Sequence, residues 1–261
     1  MSRTWALGDI HANATALSAA LELIEPGDPL VILGDLLTYG PDPCEVLELV
    51  LERVVQGAVL VLGNHDELYL DLLRGETGYR DRLPAWIQAS ADWTLDRLDP
   101  ATLRRLPFVR EHVASGVLFA HANPWGDWRY LNRDEDHHEA AEVLRRRGLK
   151  IGIFGHTHRS RIVELPPGRG LGDGARRELR WRPGEAQDVL LINAGSVGQP
   201  RDRAATSTLV ELQEDASGIA VRLHEVRYDV GRHLSRLSAL PLSTETLDRL
   251  ASFFHPSPRA P

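Results

Sequence analysis

Cysteine is almost absent from this sequence of 261 residues: Cys44 is the only one, so no disulfide can form within the chain. Lysine is equally rare, because Lys150 stands alone among 30 basic residues. No run of about 18 apolar residues occurs, which excludes an ordinary membrane-spanning helix. The chain reaches Gly8 and Asp9 too early for the apolar stretch of a signal peptide. These absences predict a cytoplasmic protein that does not bind membranes.

Basic residues are also in deficit, since 30 of them face 37 acidic residues and leave a formal net charge of −7. An acidic balance argues against bulk binding of nucleic acid, which depends on neutralising phosphates. Hydrophobic residues make up 43% of the chain and charged residues 26%, the proportions of an ordinary globular protein. We therefore predict a single domain spanning residues 1–261.

Short, continuous apolar runs recur along the chain, a pattern typical of strands that are covered on both faces. The runs span residues 5–7, 30–33, 58–62, 117–120, 151–154 and 189–192. Segments with helical spacing of apolar residues lie between several of them, at 16–24, 45–55 and 139–147. Strands that alternate with helices predict an α/β fold. Residues 208–212 and 219–226 have two further strand patterns, which we expect to form a hairpin in a second sheet.

Three segments depart from this alternation. Residues 67–107 contain Trp86 and Trp93 among many charges and indicate helices without an intervening strand, so we predict a helical cap inserted here. Residues 166–183 are rich in Gly, Arg and Pro, which favours an exposed loop or hairpin. The Pro-rich stretch 252–261 predicts a flexible tail.

Polar residues follow five of the predicted strands at the point where each apolar run ends. They are Asp9 and His11, Asp35, Asn64 and His65, His121, and His156 and His158. In open α/β sheets, ligands bind beside the carboxyl ends of the strands, so we expect these side chains to converge. The other histidines are more simply read as surface or core residues.

The chemistry of this set indicates metal binding. Carboxylates, imidazoles and an amide, without a thiolate, suit Mn, Fe, Zn or Co. Seven candidate ligands are too many for one tetrahedral ion, but they can hold two divalent ions if one carboxylate bridges. Two adjacent ions can clamp a phosphoryl group and hold a hydroxide for in-line attack.

These motifs resemble the calcineurin-like metallophosphoesterase superfamily, whose ordered signature is Asp-x-His, Gly-Asp, Gly-Asn-His-Asp/Glu, a lone His and Gly-His-x-His. The resemblance runs from about Trp5 to Asp202. The stretches 34–43 and 193–202 look like the bacterial branch of small phosphoesterases and phosphodiesterases. The resemblance implies a four-layer α/β/β/α sandwich of two mixed sheets, with 67–107 as a helical insertion.

The resemblance also implies a role for each matching residue. One ion would be held by Asp9, His11 and His158, the other by Asn64, His121 and His156, with Asp35 bridging the two. His65 would be catalytic without binding metal, protonating the leaving oxygen of the scissile phosphate or stabilising its charge. The candidate contacts to the substrate are His65, Asn64 and Asn13. Asn13 could instead hold a metal ligand in place without touching the substrate.

Together these observations predict a phosphoesterase that depends on two divalent metal ions and attacks a small phosphate ester in line, through a metal-bridging hydroxide. The favoured activity is that of a phosphodiesterase, with cyclic nucleotides among the candidate substrates. Trp125, Trp128 and Tyr130, soon after His121, could either stack on a base or pack. The oligomeric state is left open.

The sequence departs from the superfamily pattern at several positions, so other functions remain as alternatives. Thr38 and Tyr39 stand where phosphoprotein phosphatases have Asp and Arg, which disfavours a protein substrate. Ala12 replaces a usual Gly and could strain its loop. A phosphomonoesterase or phosphoprotein phosphatase, a nuclease and a non-catalytic binding scaffold remain the alternatives.

Overall fold

The computed structural model describes residues 2–165, 177–182, 184, 187–201, 206–216 and 218–254. The strands are β1 (Ser2–Leu7), β2 (Leu30–Ile32), β3 (Val59–Val61), β4 (Phe108–Val109), β5 (Glu111–Ala114), β6 (Val117–Ala120), β7 (Ile151–Phe154), β8 (Ser160–Leu165), β9 (Glu178–Trp181), β10 (Val189–Ala194), β11 (Thr206–Asp215) and β12 (Gly218–Arg227). The helices are α1 (Ala14–Leu21), α2 (Pro43–Val55), α3 (Asn64–Leu72), α4 (Ala85–Leu95), α5 (Pro100–Arg104), α6 (Asp134–Arg146), α7 (Val230–Ser238) and α8 (Thr244–Ala251). Short 3-10 turns span Arg80–Arg82 and Ser252–Phe254.

Two mixed sheets organise the chain. The first contains seven strands in the order β4-β3-β2-β1-β11-β12-β9, with β1 to β4 parallel and the other pairs antiparallel. The second contains five strands in the order β5-β6-β7-β10-β8, in which β6, β7 and β10 are parallel neighbours. The loops that contain the candidate ligands therefore lie at the carboxyl ends of the parallel strands.

Apolar side chains hold the layers together. Leu33 after β2 and Phe119 on β6 belong to the core between the sheets. Leu17 of α1 lies in a second core, which α1, α2 and α3 share with the seven-stranded sheet, and Leu144 of α6 lies in a third, which covers the five-stranded sheet. The predicted α/β fold with two mixed sheets between helices is confirmed.

The predicted hairpin exists as β11 and β12, but its expected place in a second sheet is wrong. Residues 2–6 of β1 pair with residues 210–214 of β11, which joins the hairpin to the sheet that also holds β2 and β3. The apolar pattern of a strand does not specify its partner, because pairing depends on residues far away in the chain.

The three unusual segments differ in outcome. The helices α3, α4 and α5 and one 3-10 turn occupy residues 64–104 without a strand, so the inserted helices are present and begin three residues before the predicted position 67. In the segment 166–183, residues 166–176 and 183 lie outside the described residues, while Glu178–Trp181 form a strand paired with β12.

The C-terminal region contains helices that sequence analysis missed. Phe254, in the turn at 252–254, is buried, so the flexible tail predicted from residue 252 is wrong for its first three residues; residues 255–261 lie outside the described part. The helices α7 and α8 are capped by Asp229 and Ser243, whose side chains accept hydrogen bonds from backbone N–H groups of the first turn. None of the helices in the described ranges has both the length and the apolar character needed to cross a membrane.

Candidate metal centre

The loops after five strands bring the predicted ligands together. Asp9 follows β1, Asp35 follows β2 and Asn64 begins α3 directly after β3; all three come from the seven-stranded sheet. His11 also follows β1, whereas the other candidate histidines come from the five-stranded sheet: His121 follows β6, and His156 and His158 follow β7. The candidate centre therefore lies where the two sheets meet.

Two groups of buried side chains have ligand atoms that all lie within 4.8 Å of one another. The first consists of Asp9, His11, Asp35 and His158, and the second of Asp35, His121 and His156. The Oδ1 atom of Asn64 lies 3.1 Å from the Nε2 atom of His121, beside the second group. Asp35 belongs to both groups, which is the position that a bridging carboxylate requires.

The backbone in these loops is strained. Five ligands have a positive φ angle: Asp9 (51°), His11 (48°), Asp35 (54°), His156 (66°) and His158 (57°). Ala12 also has a φ of 50°, as the replacement of Gly at this position led us to expect. Residues with side chains rarely adopt this conformation, and each costs about 1–3 kcal/mol that the surrounding structure must offset. Strain of this kind is typical of functional sites.

Two glycines let the loops approach each other. A Cβ atom on Gly63 would lie 2.2 Å from Oδ1 of Asp35, and one on Gly155 would lie 2.5 Å from Oδ2 of Asp9. Any side chain at either position would collide with a carboxylate that belongs to the ligand set. The glycines of the Gly-Asn-His-Asp and Gly-His-x-His motifs are therefore required by this packing.

Backbone carbonyl groups orient the four ligand imidazoles. The contacts join Nδ1 of His11 to Leu37 O (3.0 Å), Nδ1 of His121 to Leu33 O (2.7 Å), Nδ1 of His158 to Gln199 O (2.8 Å) and Nε2 of His156 to Trp128 O (3.0 Å). A carbonyl oxygen can only accept, so each of these ring nitrogens carries a proton. In the neutral ring, the other nitrogen then has a lone pair that is directed at the centre. Metal-binding histidines are usually held in this way.

The lone pairs at the centre fit a bound cation. Nε2 of His11 and Nε2 of His158 lie only 3.1 Å apart, although both are acceptors in the neutral rings. The Oδ1 atom of Asp9 is buried 3.3 Å from Nε2 of His158 and has no hydrogen-bond donor within the described part of the chain. Such atoms repel one another unless a positive charge lies between them. The residues present therefore suit divalent metal ions.

The pKa values point to the same conclusion. Burial, assisted by the positive charge on His121, lowers the pKa of His156 to about 3, and burial also holds the pKa of His11 well below its usual value. His121 differs: burial alone would lower its pKa, but the adjacent Asp35 carboxylate raises it to about 9. Most of the cluster thus remains in the deprotonated form that metal ligands must have.

His65 lies beside the ligand set without joining it. Its ring is 5.2 Å from that of His11 and perpendicular to it, and its backbone N–H donates to Oδ1 of Asp35 at 2.7 Å. The Nδ1 atom contacts Thr38 Oγ1 at 3.1 Å, and the Nε2 atom contacts the Tyr39 hydroxyl at 3.0 Å. The two residues that replace Asp and Arg of the protein phosphatases therefore both bind His65.

The two predicted amide contacts have different surroundings. The Asn64 side chain donates to the Tyr79 hydroxyl at 2.9 Å, which leaves its oxygen directed at His121. Asn13 is fully buried: its oxygen caps α1 by accepting from Ala16 N, and its amide nitrogen donates to Gly198 O. These bonds favour a role for Asn13 in holding the loop over direct contact with substrate.

Sequence analysis missed the function of Asp66, the last residue of the Gly-Asn-His-Asp motif. Its carboxylate accepts from the backbone N–H groups of Asp35 (2.7 Å), Leu36 (2.9 Å) and Gly63 (3.0 Å), and so holds the loop of the shared ligand. Burial and the nearby Asp35 carboxylate raise the pKa of Asp66 to about 7. Its place in the motif was the only signal that could have identified it.

Some of the remaining histidines and aromatic residues border the candidate centre, and the others lie away from it. His112, His137, His138, His224 and His233 lie outside both ligand groups, and His255 is outside the described residues. Tyr130 stacks on His156 with ring centres 4.1 Å apart, and Trp86 of α4 stacks on Tyr39 at 5.6 Å. The inserted helices thus border the centre through Trp86, whereas Trp93 is buried with the Arg97 guanidinium over its ring.

Comparison with known proteins decides the family. The model of the calcineurin-like phosphoesterase family matches residues 2–160, which contain all seven candidate ligands. The chain belongs to the calcineurin-like phosphoesterase family. Protein MJ0912 of Methanocaldococcus jannaschii is 28% identical over 242 residues, which cover 88% of this chain and 90% of that protein.

Other relatives share either the first part of the chain or the fold. A symmetrical bis(5′-nucleosyl)-tetraphosphatase of Erwinia tasmaniensis is 33% identical over 151 residues, covering 54% of this phosphoesterase and 52% of that protein. The chain thus matches about half the length of that relative. A metallophosphoesterase from Sphaerobacter thermophilus superimposes with a TM-score of 0.74 at 24% identity, covering 97% of this chain and 99% of its own. Protein PH1004 from Pyrococcus horikoshii gives 0.73 at 18% identity, covering 96% and 98%.

Proposed function

We propose that this phosphoesterase uses two divalent metal ions to hydrolyse a phosphodiester bond in a small nucleotide. The observation that carries the proposal is the pair of ligand groups that share Asp35. Bound there, Mn, Fe, Zn or Co would supply positive charge at the phosphate and a nucleophile at neutral pH. Asp9 and Asp35 neutralise about half of the charge of two such ions, so the centre remains attractive to an anion.

His65 is the candidate that acts on the leaving group. Burial lowers its pKa, so the ring is neutral at pH 7, and contacts to Thr38 and Tyr39 hold both nitrogens in place. A neutral imidazole in this position can stabilise a developing alkoxide by turning its N–H from Thr38 or Tyr39 to the leaving oxygen, whereas giving up a proton would require the imidazolium form. Thr38 and Tyr39 orient the ring without adding a guanidinium to grip a phosphate monoester.

The space beside the centre supports a small substrate. The cavity lined by His11, Tyr39 and Gly198 has a volume of only about 10 Å³, since α7, α8 and the turn at 252–254 cover it with Leu237, Leu250 and Phe254. We call this C-terminal cover, residues 230–254, the roof. A cavity of this size holds about one water molecule, so the roof closes this side of the centre to a folded protein and leaves the substrate to approach from the other sides.

Aromatic groups support a nucleotide. Tyr130 is 45% exposed and stacks on the ligand His156, so its outer face is free to stack on a base. A dinucleoside polyphosphate is a second candidate substrate, because one relative of the first half of the chain is a bis(5′-nucleosyl)-tetraphosphatase.

A substrate panel tests this proposal. The manganese-loaded chain is assayed with 2′,3′-cyclic nucleotides, a linear dinucleotide, bis(adenosyl) tetraphosphate, a mononucleotide and a phosphopeptide. We expect hydrolysis of nucleotide diesters to exceed that of the mononucleotide and the phosphopeptide. The Asp35→Asn variant should lose activity and metal together, whereas Asp96→Asn, the same change at an exposed position of the chain, should keep both.

Two results would contradict the proposal. Hydrolysis of the phosphopeptide alone would place the chain with the protein phosphatases. A chain that binds two metal ions per molecule and cleaves none of the panel would be a binding scaffold instead of an enzyme.

A further inference from the structure

A second polar cavity lies away from the metal centre, on the outer face of the five-stranded sheet. It has a volume of about 100 Å³ and lies between the start of α6, strands β8 and β10, and the loop that follows β7. Its polar lining includes Asn132, His137, Thr157, Arg159 and Arg161. By a measure in which about 10–15 Å³ holds one water molecule, the space accommodates a small polyatomic ion.

Arg161 occupies an unusual position in this sheet. Alternate residues of a strand share a face, so Arg161 points the same way as Val163 and Leu165, which belong to the apolar core under α6. The Nε atom of Arg161 is buried without a hydrogen-bond partner among the described residues. A buried N–H that lacks an acceptor costs about 1–3 kcal/mol, so an acceptor from outside the described residues would stabilise this group.

His137 faces the same space with a second unpartnered group. Its side chain is buried, and its Nδ1 atom has no hydrogen-bond partner within the described ranges. Burial and the charge of Arg161 lower the pKa of His137. A neutral ring has one N–H, and this one contacts the carbonyl of Leu131, so Nδ1 faces the cavity as a hydrogen-bond acceptor.

No carboxylate in the described part of the chain neutralises this cavity. Neither Arg159 nor Arg161 has a carboxylate within ion-pair distance there, although arginines such as Arg80 and Arg222 do. The nearest acidic groups lie on α6: the exposed Asp134 is 4.0 Å from Nδ1 of His137, and Asp136 is occupied by its own helix N-terminus and Arg133. In a chain of net charge −7, an excess of positive charge in a cavity points to an anionic ligand.

We propose that this cavity binds a small tetrahedral oxyanion, namely inorganic phosphate, through the guanidinium groups of Arg159 and Arg161, with a P–OH group of hydrogen phosphate donating to Nδ1 of His137. Guanidinium groups suit phosphate because they present paired donors in one plane. The bound ion would also contact the loop that contains Thr157, the residue between ligands His156 and His158. The site is separate from the metal centre, and its existence does not depend on the proposed activity.

Calorimetric titration of the metal-loaded chain with inorganic phosphate at constant ionic strength tests the site. We expect two phosphates per wild-type chain, one at the metal centre and one in the cavity, and one per chain in Arg161→Gln. The exposed Arg159→Gln, which cannot disturb the core, should weaken the cavity site by about tenfold, the loss expected for one charge-assisted hydrogen bond. Arg146→Gln, an equal change of charge on an exposed part of α6, should bind like the wild type.

Crystals of the same metal-loaded chain soaked in selenate locate the ion by anomalous scattering. A selenium peak among Arg159, Arg161 and His137 is the expected result. An empty cavity in the soaked crystals, or equal phosphate stoichiometry and affinity in the wild type and both cavity variants, would overturn the proposal. If phosphate removes metal from the centre, the wild type will show a single binding event. Metal content is therefore measured after each titration, and the occupancy of the cavity in the crystal then decides whether the anion site exists.

Discussion

His233 makes the roof sensitive to pH. Its ring is 1% exposed, lies 4.7 Å from the ring of Phe254, and has two buried nitrogens without hydrogen-bond partners among the described residues. Burial, with a smaller effect of the Arg236 charge, lowers its pKa to about 4. The pKa is about 6.5 in an unfolded chain, so the unfolded state takes up a proton first. Stability is therefore lost as the pH falls from about 6.5 towards 4.

The size of this loss follows from the two pKa values. At pH 5, linkage with pKa values of about 6.5 unfolded and about 4 folded gives a loss of about 2 kcal/mol relative to pH 7.5. His233→Leu removes the titration and suits its neighbours Leu237 and Phe254. We expect the variant to be at least as stable as the wild type at pH 7.5, because an apolar group replaces unpartnered nitrogens. Its advantage should grow by about 2 kcal/mol at pH 5.

Urea unfolding at both pH values measures the difference. His138→Leu, which removes a half-buried histidine from α6, serves as the control and should keep the pH dependence of the wild type. Other histidines titrate in every variant, so only the change in the difference between variants counts. A wild-type loss that persists unchanged in His233→Leu would refute the reasoning.

Three further predictions concern the metal centre. His65→Ala should lower kcat by about 10²–10⁴ while metal analysis still finds two ions per chain; normal turnover would remove His65 from the chemistry. Asp66→Asn cannot accept hydrogen bonds from all three N–H groups around Asp35 and should weaken metal binding by about 10–100-fold, measured by competition with a chelator. Unchanged affinity would show that the Asp35 loop keeps its conformation without the Asp66 carboxylate. Tyr130→Ala should raise KM for nucleotide substrates by about fivefold, which corresponds to the weaker limit of base stacking. KM for an ester that lacks a base should not change, and equal effects on both substrates would exclude stacking.

The convergence of the candidate ligands could be predicted from the sequence because buried parallel strands have a recognisable pattern. Continuous apolar runs such as 151–154 end where the backbone leaves the sheet, and polar residues such as His156 follow at once. Since neighbouring parallel strands end at one edge, the order of motifs along the chain was sufficient to predict convergence.

The parts that could not be predicted depend on long-range contacts. The carbonyl groups that orient the ligand histidines, such as those of Leu37 and Trp128, belong to the backbone, which carries no signature in the residue type. The pairing of β11 with β1 joins residues about 200 positions apart and decided the sheet to which the hairpin belongs. Short helices such as α7 offer little more than two turns of periodicity, so Asp229 at its N-terminus was an insufficient signal.

The roof has a consequence for how substrate choice can evolve in this family. The family model ends at residue 160, after the last ligand, whereas α7 and α8 begin at 230 and 244. The candidate ligands and the roof thus lie in separate stretches of the chain, so the roof can diverge in sequence while the ligands are preserved. If the roof limits the substrate, as the proposed function implies, exchange of the last helices between two homologues with the same ligands would transfer their substrate preference.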